Sequence, residues 1–141
     1  MSAALGRIAA PAAAVFLVLC GSTALRAFDA GLPYPGEVAL SEEGDAGFVY
    51  RRFPGSQRLY TYDMDRGDRS YCNAGCASAR PPVMAPASAK PMGDWTVVRR
   101  DDGQLQWAYR GHPVYSMFHD DPKHPAGDGE GGVWHLLPYE K

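Results

Sequence analysis

The chain has 141 residues, with 14 Lys and Arg against 16 Asp and Glu, and a formal net charge of −2 at pH 7. This near balance, without a clustered basic run, argues against nucleic acid and anionic membrane surfaces as partners. Hydrophobic residues make up 45% of the chain, and the length suffices for one small domain with a modest core but not for two independent ones.

The first 24 residues have the three-part layout of a secretory signal peptide. Arg7 precedes an apolar run over residues 8–19. That run is shorter than the roughly 20 apolar residues that a membrane-spanning helix needs. Small residues predict cleavage after Ala24, with cleavage after Ala27 as the second choice. We therefore expect the mature protein to be exported to the periplasm, the cell envelope or the medium.

The cysteines fit export. Cleavage removes Cys20 and leaves Cys72 and Cys76 in a compartment where disulfides form. A second interpretation retains Cys20, because residues 17–20 (LVLC) resemble a bacterial lipobox whose cysteine carries lipid, although Leu19 stands where a small residue is usual. An uncleaved leader that anchors the chain is the third alternative. In all three cases, contact with a membrane is expected only through the leader or the lipid.

Residues 25–46 are rich in Gly, Pro and acidic side chains and predict a flexible tether. From residue 47 onwards, short β-like runs alternate with Gly, Pro and Asp, and no segment shows a sustained helical period. The predicted strands cover Gly47–Phe53, Gln57–Asp63, Asp94–Arg100, Gln104–Arg110, His112–Phe118 and Gly132–Leu137.

Turn signals separate these strands. The clearest hairpin turns at Arg100–Gly103, where Asp-Gly is a strong turn dipeptide. The segment Pro81–Pro91 is rich in proline, which removes backbone donors, and is expected to be an ordered crossover loop rather than a strand. The stretch Asp121–Gly131 is expected to be a mobile surface loop.

A tyrosine stands five residues before an aspartate twice, in Tyr60–Asp65 and again in Tyr115–Asp120. This spacing predicts two degenerate repeats, about residues 47–90 and about residues 91–141. The predicted fold is mainly β, a single small antiparallel domain over residues 47–141 that forms a sandwich- or barrel-like meander. Its repeats are expected to share one core around Trp95, Trp107 and Trp134.

The stretch Tyr60–Asp65, the cysteine pair, the Pro81-Pro82 pair and residues 99–121 together resemble a family of bacterial secreted proteins and lipoproteins. The family is a secreted repeat of unknown function with a Yx(F/W/Y)xxD motif. The resemblance covers roughly residue 48 to the C-terminus and implies no activity, because the family lacks an assigned biochemical role. Arg80 departs from it, since a tryptophan commonly precedes the Pro-Pro pair, and so does Met117, which replaces the middle aromatic of the second motif.

Two interpretations of the motif are open. In a strand, Tyr60 and Tyr62 point to the same face, and Asp65 follows the strand end, where its carboxylate can accept N–H bonds in the 65–68 turn. These residues can therefore serve packing and turn capping alone. Alternatively, exposed members of the aromatic set form a face that stacks on a sugar, peptide or ring-shaped ligand. The candidates for the motif and this face are Tyr60, Tyr62, Asp65, Trp107, Tyr109, Tyr115 and Asp120.

The CxxxC spacing constrains the local backbone. Cys72 and Cys76 would lie about 13 Å apart in an extended chain but about 6 Å apart in one helical turn. A disulfide requires a Cα separation of about 4.4 to 6.8 Å. We therefore predict a short helical turn around Asn73–Ala77, closed by a Cys72–Cys76 bridge.

A metal or redox site is the alternative use of these cysteines. Two thiolates with a distal histidine, and a methionine as a further ligand, suit Cu(I). His119 and His124 are the candidate nitrogen ligands, since they lie close to aspartates in the sequence. Calcium is a weaker alternative, because the acidic spacing does not match an EF-hand loop. No resident cofactor is predicted.

No linear signature of a catalytic site occurs in the chain, so we do not expect an enzyme. The function predicted from the sequence is a non-catalytic binding or interaction module outside the cytoplasm, whose partner is an unidentified envelope component or a small ligand. The alternative is an extracytoplasmic redox or copper-handling protein that uses the CxxxC thiols. A purely structural envelope component is a third outcome.

Overall fold

The computed structural model describes residues 34–121 and 123–139, so the predicted signal peptide lies outside the described residues. In these ranges the chain is mainly β with antiparallel pairing, which confirms the predicted fold class. None of the helices in the described part is long and apolar enough to span a membrane. The elements are β1 (Val38–Glu42), β2 (Phe48–Arg52), β3 (Leu59–Tyr62), α1 (Gly75–Ala79), β4 (Met84–Ala85), β5 (Trp95–Arg99), β6 (Leu105–Tyr109), β7 (His112–Ser116) and β8 (Trp134–Leu136), with 3-10 turns at Gly44–Ala46 and Glu130–Gly132.

The predicted β runs each contain one of these strands, namely β2, β3, β5, β6, β7 and β8. The expected hairpin joins β5 to β6 in a register that runs from Trp95 opposite Tyr109 to Arg99 opposite Leu105. Gly103 closes its turn with φ of 82°, a left-handed conformation that glycine adopts without steric cost. Alternation and turn residues were therefore sufficient to locate this hairpin.

The larger sheet has the strand order β4-β6-β7-β3-β8, and β5 pairs with β6. β3, from the first predicted repeat, lies between β7 and β8, which both belong to the second. A strand of the first repeat therefore completes the sheet of the second. The boundary between the repeats stays a prediction.

The proline-rich segment Pro81–Pro91 is not entirely a loop, because it contains β4. Just before β4, the Val83 N–H donates to the Val114 carbonyl at 3.0 Å, and the Val83 carbonyl accepts the Trp107 N–H at 2.8 Å. The segment thus inserts between β6 and β7 where these strands separate. The expectation of a strand-free loop was wrong for β4, whose residues are not prolines and keep their backbone donors.

Residues 38–46 differ from the predicted flexible tether. β1 pairs with β2 along its whole length, and Val38, 3% exposed, packs in the same buried cluster as Tyr50. The tether prediction therefore does not hold for this stretch. The alternation of Val38 and Leu40 that indicates a strand is brief and lies among Gly, Pro and acidic residues, so it gave only a weak signal. Residues 25–33 lie outside the described residues.

Two clusters of buried side chains replace the single core expected around the three tryptophans. The first contains Trp95 and Trp107, and the second contains Trp134, Tyr60, Tyr115 and Cys72. β3 and β7 contribute to both clusters, because neighbouring residues on a strand face opposite sides. Leu59 and Val114 accordingly lie in the first cluster, whereas Tyr60 and Tyr115 lie in the second.

The predicted disulfide joins Cys72 and Cys76, with a Cα separation of 5.2 Å. The helical turn beside it is α1, which ends where the Arg80 N–H donates to the Cys76 carbonyl at 2.8 Å. Cys72 is fully buried in the second cluster. The bridge therefore attaches the connection between β3 and β4 to that cluster.

Candidate functional site

The two motif tyrosines lie opposite each other at the centre of the larger sheet. Tyr60 and Tyr115 are register partners across β3 and β7, and both are fully buried. The Tyr60 hydroxyl donates to Asp120 Oδ2 at 2.7 Å, and the Tyr115 hydroxyl donates to Asp65 Oδ2 at 2.7 Å. Each tyrosine thus binds the aspartate of the other motif. We call these contacts the reciprocal tyrosine–aspartate pairs.

The Asp120 carboxylate has a buried cationic partner. Arg58, 2% exposed, donates to Asp120 Oδ2 at 3.2 Å and to Glu43 Oε2 at 2.8 Å. Glu43 also pairs with Arg51. The remaining Asp120 oxygen accepts the Ala126 N–H at 3.1 Å. This network joins the β1–β2 connection, the start of β3 and the loop after β7.

The Asp65 carboxylate lacks such a direct ion pair among the described residues. Its Oδ1 accepts the Tyr71 N–H at 2.7 Å. On the other side, the buried Arg100 guanidinium donates to Ser70 Oγ at 2.8 Å, and Ser70 lies 2.7 Å from the Tyr115 hydroxyl. A chain of hydrogen bonds therefore connects Arg100 to Asp65 through a serine and a tyrosine.

These environments shift the pKa values of the paired groups. Burial, with a smaller effect of the bonded carboxylates, raises the pKa of Tyr60 and Tyr115 well above the ordinary phenol value, so both remain neutral donors. Burial also raises the pKa of Asp65, and the Tyr71 N–H, the Tyr115 hydroxyl and Arg100 offset this rise only in part. Burial therefore disfavours the charged form of Asp65.

The residue at the middle position of each motif is partly buried against the second cluster. Tyr62 stacks on Trp134 with ring centroids 4.3 Å apart, and Tyr115 meets Trp134 edge-on at 5.3 Å. Arg80, which stands where the resembling family commonly has a tryptophan, lies over the Trp134 ring at 5.1 Å. Met117, at the second middle position, is partly buried against the same cluster.

The candidate stacking face is not formed by the central aromatic residues. Tyr60, Tyr115, Trp107 and Tyr109 are all buried. Trp107 donates its indole N–H to Glu37 Oε2 at 3.0 Å, and Tyr109 packs against Tyr50 and Trp95. The exposed large apolar side chains of the described part are instead Phe53, Met64, Tyr71 and Phe118, which were not among the predicted site residues.

The residues considered as metal ligands do not form a metal-binding group in the described part of the chain. His119 and His124 are exposed, and the described residues contain no group of three or more His, Cys, Asp or Glu arranged to hold a metal ion. Asp121 instead accepts the N–H groups of Lys123 and His124, and these bonds lower its pKa. Asp121 thus serves as a turn acceptor.

Three open clefts adjoin one another, and residues of the turn Phe53–Gln57, between β2 and β3, line the second and third of them. The first cleft, about 580 Å³, and the second, about 350 Å³, share Arg51 and Arg58. The second and the third, about 360 Å³, share Gln57. Phe118 lines the second cleft and Phe53 lines the third. We call this turn, with Phe118 and its flanking second and third clefts, the turn surface.

Comparison with known families bears on the second half of the chain. Residues 96–137 match a family model described as a secreted repeat of unknown function. That description supports export in general and assigns no activity. No curated protein and no solved structure matches the chain.

The matched segment lacks residues that complete the reciprocal pairs and the sheet. It contains Tyr115 and Asp120, whereas their bonding partners Asp65 and Tyr60 lie outside the matched range. It also contains β7 and β8 but not β3, the strand between them. The matched segment therefore supplies one member of each reciprocal pair, and β3 of the larger sheet lies outside it.

The loop after β7 packs closely on Tyr60 at Gly127. A Cβ there would lie 2.9 Å from both Met117 Sδ and the Tyr60 ring. We expect Gly127→Ala to lower the free energy of unfolding by about 1 to 3 kcal/mol, because a well-packed core resists an added methyl group. Gly36→Ala, whose Cβ would meet nothing within 4 Å, is the matched control. Equal urea midpoints for the two variants would contradict the close packing.

The raised pKa of Asp65 predicts a specific pH dependence. A carboxyl whose pKa is higher in the folded than in the unfolded state contributes stability that is fully present below the unfolded value and is lost as pH rises through the folded value. For Asp65, this loss of stability begins near its ordinary pKa of 3.8 and continues as the pH rises above that value. The difference in unfolding free energy between the parent protein and Asp65→Asn should therefore fall over this pH range.

Urea unfolding at a series of pH values, with the Asp65 carboxyl titrated by carbon-13 NMR, checks this expectation. A folded-state pKa at or below 3.8 would contradict it.

Proposed function

We propose that the protein is a non-catalytic binding module that acts outside the cytoplasm and that the turn surface is its contact site. The proposal depends on one observation. Phe53 and Phe118 are 59% and 62% exposed, and they line adjacent clefts that share Gln57. Aromatic residues, phenylalanine among them, are enriched at protein interfaces relative to the rest of the surface.

Both phenylalanines are attached to ordered backbone. The Phe53 N–H donates to the Glu37 carbonyl at 2.7 Å. Phe118 lies two residues before Asp120, whose carboxylate is held by Tyr60, Arg58 and a backbone N–H. Preorganised contact residues lose less conformational freedom on binding, which supports a role in recognition.

The reciprocal tyrosine–aspartate pairs serve this function indirectly in our proposal. Their hydroxyl and carboxylate groups already bind one another, so the motif acts as the support of the turn surface and of the loop that carries Phe118. The leader would direct export and be cleaved after Ala24, and the mature module would act in the periplasm or at the cell envelope. Lipid on Cys20 would hold it at a membrane.

The redox or copper-handling alternative is not favoured. It needs Cys72 and Cys76 as free thiolates, whereas their sulfur atoms are bonded to each other and Cys72 is fully buried. Copper binding would first require reduction of this bridge.

Site-specific photo-crosslinking in the secreting cells tests the proposal. A benzoylphenylalanine side chain at position 118 or 53 should give discrete adducts. The same group at Tyr71, which is 49% exposed and lies outside the three clefts, should give at least tenfold less. Phe118→Ala should reduce the adduct formed from position 53, because both side chains would contact one partner. Adducts of equal yield at all three positions, or none at 53 and 118, would contradict the proposed contact site.

A further inference from the structure

We propose that two copies of the chain form a two-fold symmetric dimer in which β1 of one copy pairs antiparallel with β1 of the other. The two strands would be centred on Leu40, so the sheet of β1 and β2 would continue across the symmetry axis. β1 lies outside the turn surface, and the dimer therefore does not depend on the proposed function.

One edge of β1 is paired with β2 and the other is open. The Phe53 N–H donates to the Glu37 carbonyl at 2.7 Å, just before β1 begins. Hydrogen-bonded pairs alternate along antiparallel strands, so the odd-numbered residues of β1 bond to β2. Val38, Leu40 and Glu42 consequently direct their backbone groups away from β2.

Most backbone groups on the open edge have no partner. The Val38 N–H donates to the Pro35 carbonyl at 3.0 Å. No hydrogen bond within the described residues engages the Val38 carbonyl or the outward groups of Leu40 and Glu42. β1, with the sequence VALSE, also lacks the Pro and Lys that commonly protect an edge strand. Such an edge is suited to pairing with another extended strand.

The edge of β5 is better protected than that of β1. Met92 and Trp95 exchange two backbone hydrogen bonds of 2.9 Å each, which close the first position of β5. Arg99 is exposed at the other end of this strand and carries a positive charge. Charged side chains on an edge strand hinder its pairing with another chain. β1 is therefore favoured as the contact strand.

The side chains of β1 fit a register centred on Leu40. In this register the two Leu40 residues exchange both of their N–H to carbonyl bonds, and the Glu42 N–H of each copy donates to the Val38 carbonyl of the other. The dimer thus gains four hydrogen bonds. Ala39 would face Ser41 of the other copy, and both side chains are small. The Leu40 side chains, which pack against the first cluster, would meet at the symmetry axis.

The charges of β1 and β2 complement a second copy of the chain. Neither the exposed Glu42 nor Arg52 forms an ion pair with another residue of the part that the structure describes. Arg52 lies opposite Val38 in the β1–β2 register, so the dimer would place Glu42 of one copy in the same row as Arg52 of the other. These residues would be two strand spacings apart, roughly 10 Å, where opposite charges attract at low salt.

Charge also distinguishes the possible registers. A register centred on Ser41 would form four hydrogen bonds as well, but it would make the two Glu42 residues diagonal neighbours, whose like charges repel. Centred on Leu40, the Glu42 residues lie four positions apart along the strands, roughly 13 Å. Glu37 would then face Glu43 of the other copy, but Glu37 accepts the Trp107 indole N–H and Glu43 binds Arg58.

Sedimentation equilibrium of the protein purified from the secreting cells, over a range of concentrations, measures the dimer. Glu42→Pro removes an N–H that faces away from β2, so it breaks two bonds of the dimer and none between β1 and β2. We expect it to weaken dimerisation at least tenfold. Arg99→Pro is the matched control, because Arg99 is also the exposed last residue of an edge strand and its N–H faces away from β6. It should dimerise as the parent does.

A charge exchange tests the register without altering the backbone. Glu42→Arg and Arg52→Glu should each weaken dimerisation at low salt by about fivefold, because each replaces an attraction by a repulsion. The variant that carries both changes should recover the parent's affinity to within about twofold. Urea midpoints equal to that of the parent would show that each variant is folded.

Amide hydrogen exchange locates the contact. The Leu40 and Glu42 amides should become protected as the protein concentration rises, whereas the Val97 amide, which faces away from β6 on β5, should not change.

Four results would contradict the dimer. The first is a monomer up to about 1 mM, which would leave the edge to a strand of another protein. The second is protection of Leu40 and Glu42 at every concentration, which would show that the same chain covers the edge. The third is equal dimerisation of Glu42→Pro and Arg99→Pro, and the fourth is a combined charge variant that dimerises no better than the single ones.

Discussion

Tyr60 and Tyr115 lie side by side at the centre of the larger sheet, and the hydroxyl of each binds the aspartate of the other repeat. Breaking either bond would leave a partly buried carboxylate with one donor fewer, at a cost of about 1 to 3 kcal/mol. The bonds also match the strand order, in which β3 fills the space between β7 and β8. Packing and hydrogen bonding thus join the two motif-bearing parts of the chain.

The two pairs have the same geometry but different electrostatic surroundings. Asp120 contacts the buried Arg58 directly, whereas Asp65 reaches Arg100 only through Ser70 and Tyr115. Burial consequently raises the pKa of Asp65. The Asp120 carboxylate, which contacts Arg58 directly, also holds the loop that follows β7. This loop carries Phe118, which lines the second cleft. The motif is thereby connected to the surface for which we propose a binding role, without forming that surface.

Local patterns were sufficient for most strands and for the disulfide, because alternation, turn residues and a four-residue spacing determine these features within a short stretch. Asp65 does accept a backbone N–H, although from Tyr71 rather than within the 65–68 turn. The bond from each tyrosine to the aspartate of the other motif could not be predicted, since each motif pairs a tyrosine in the sequence with an aspartate of its own, five residues later. Arg58 was missed for a related reason. Its position two residues before Tyr60 indicates a shared strand face, but an arginine in a β run usually faces solvent.

A double-mutant cycle on unfolding free energy tests the reciprocal exchange most directly, using Tyr60→Phe and Tyr115→Phe combined with Asp65→Asn and Asp120→Asn. Tyr60 should couple to Asp120, and Tyr115 to Asp65, by about 1 to 3 kcal/mol, because each pair shares a partly buried hydrogen bond. The two combinations within a repeat should be additive to within about 0.5 kcal/mol. Stronger coupling within a repeat than between repeats would contradict the account.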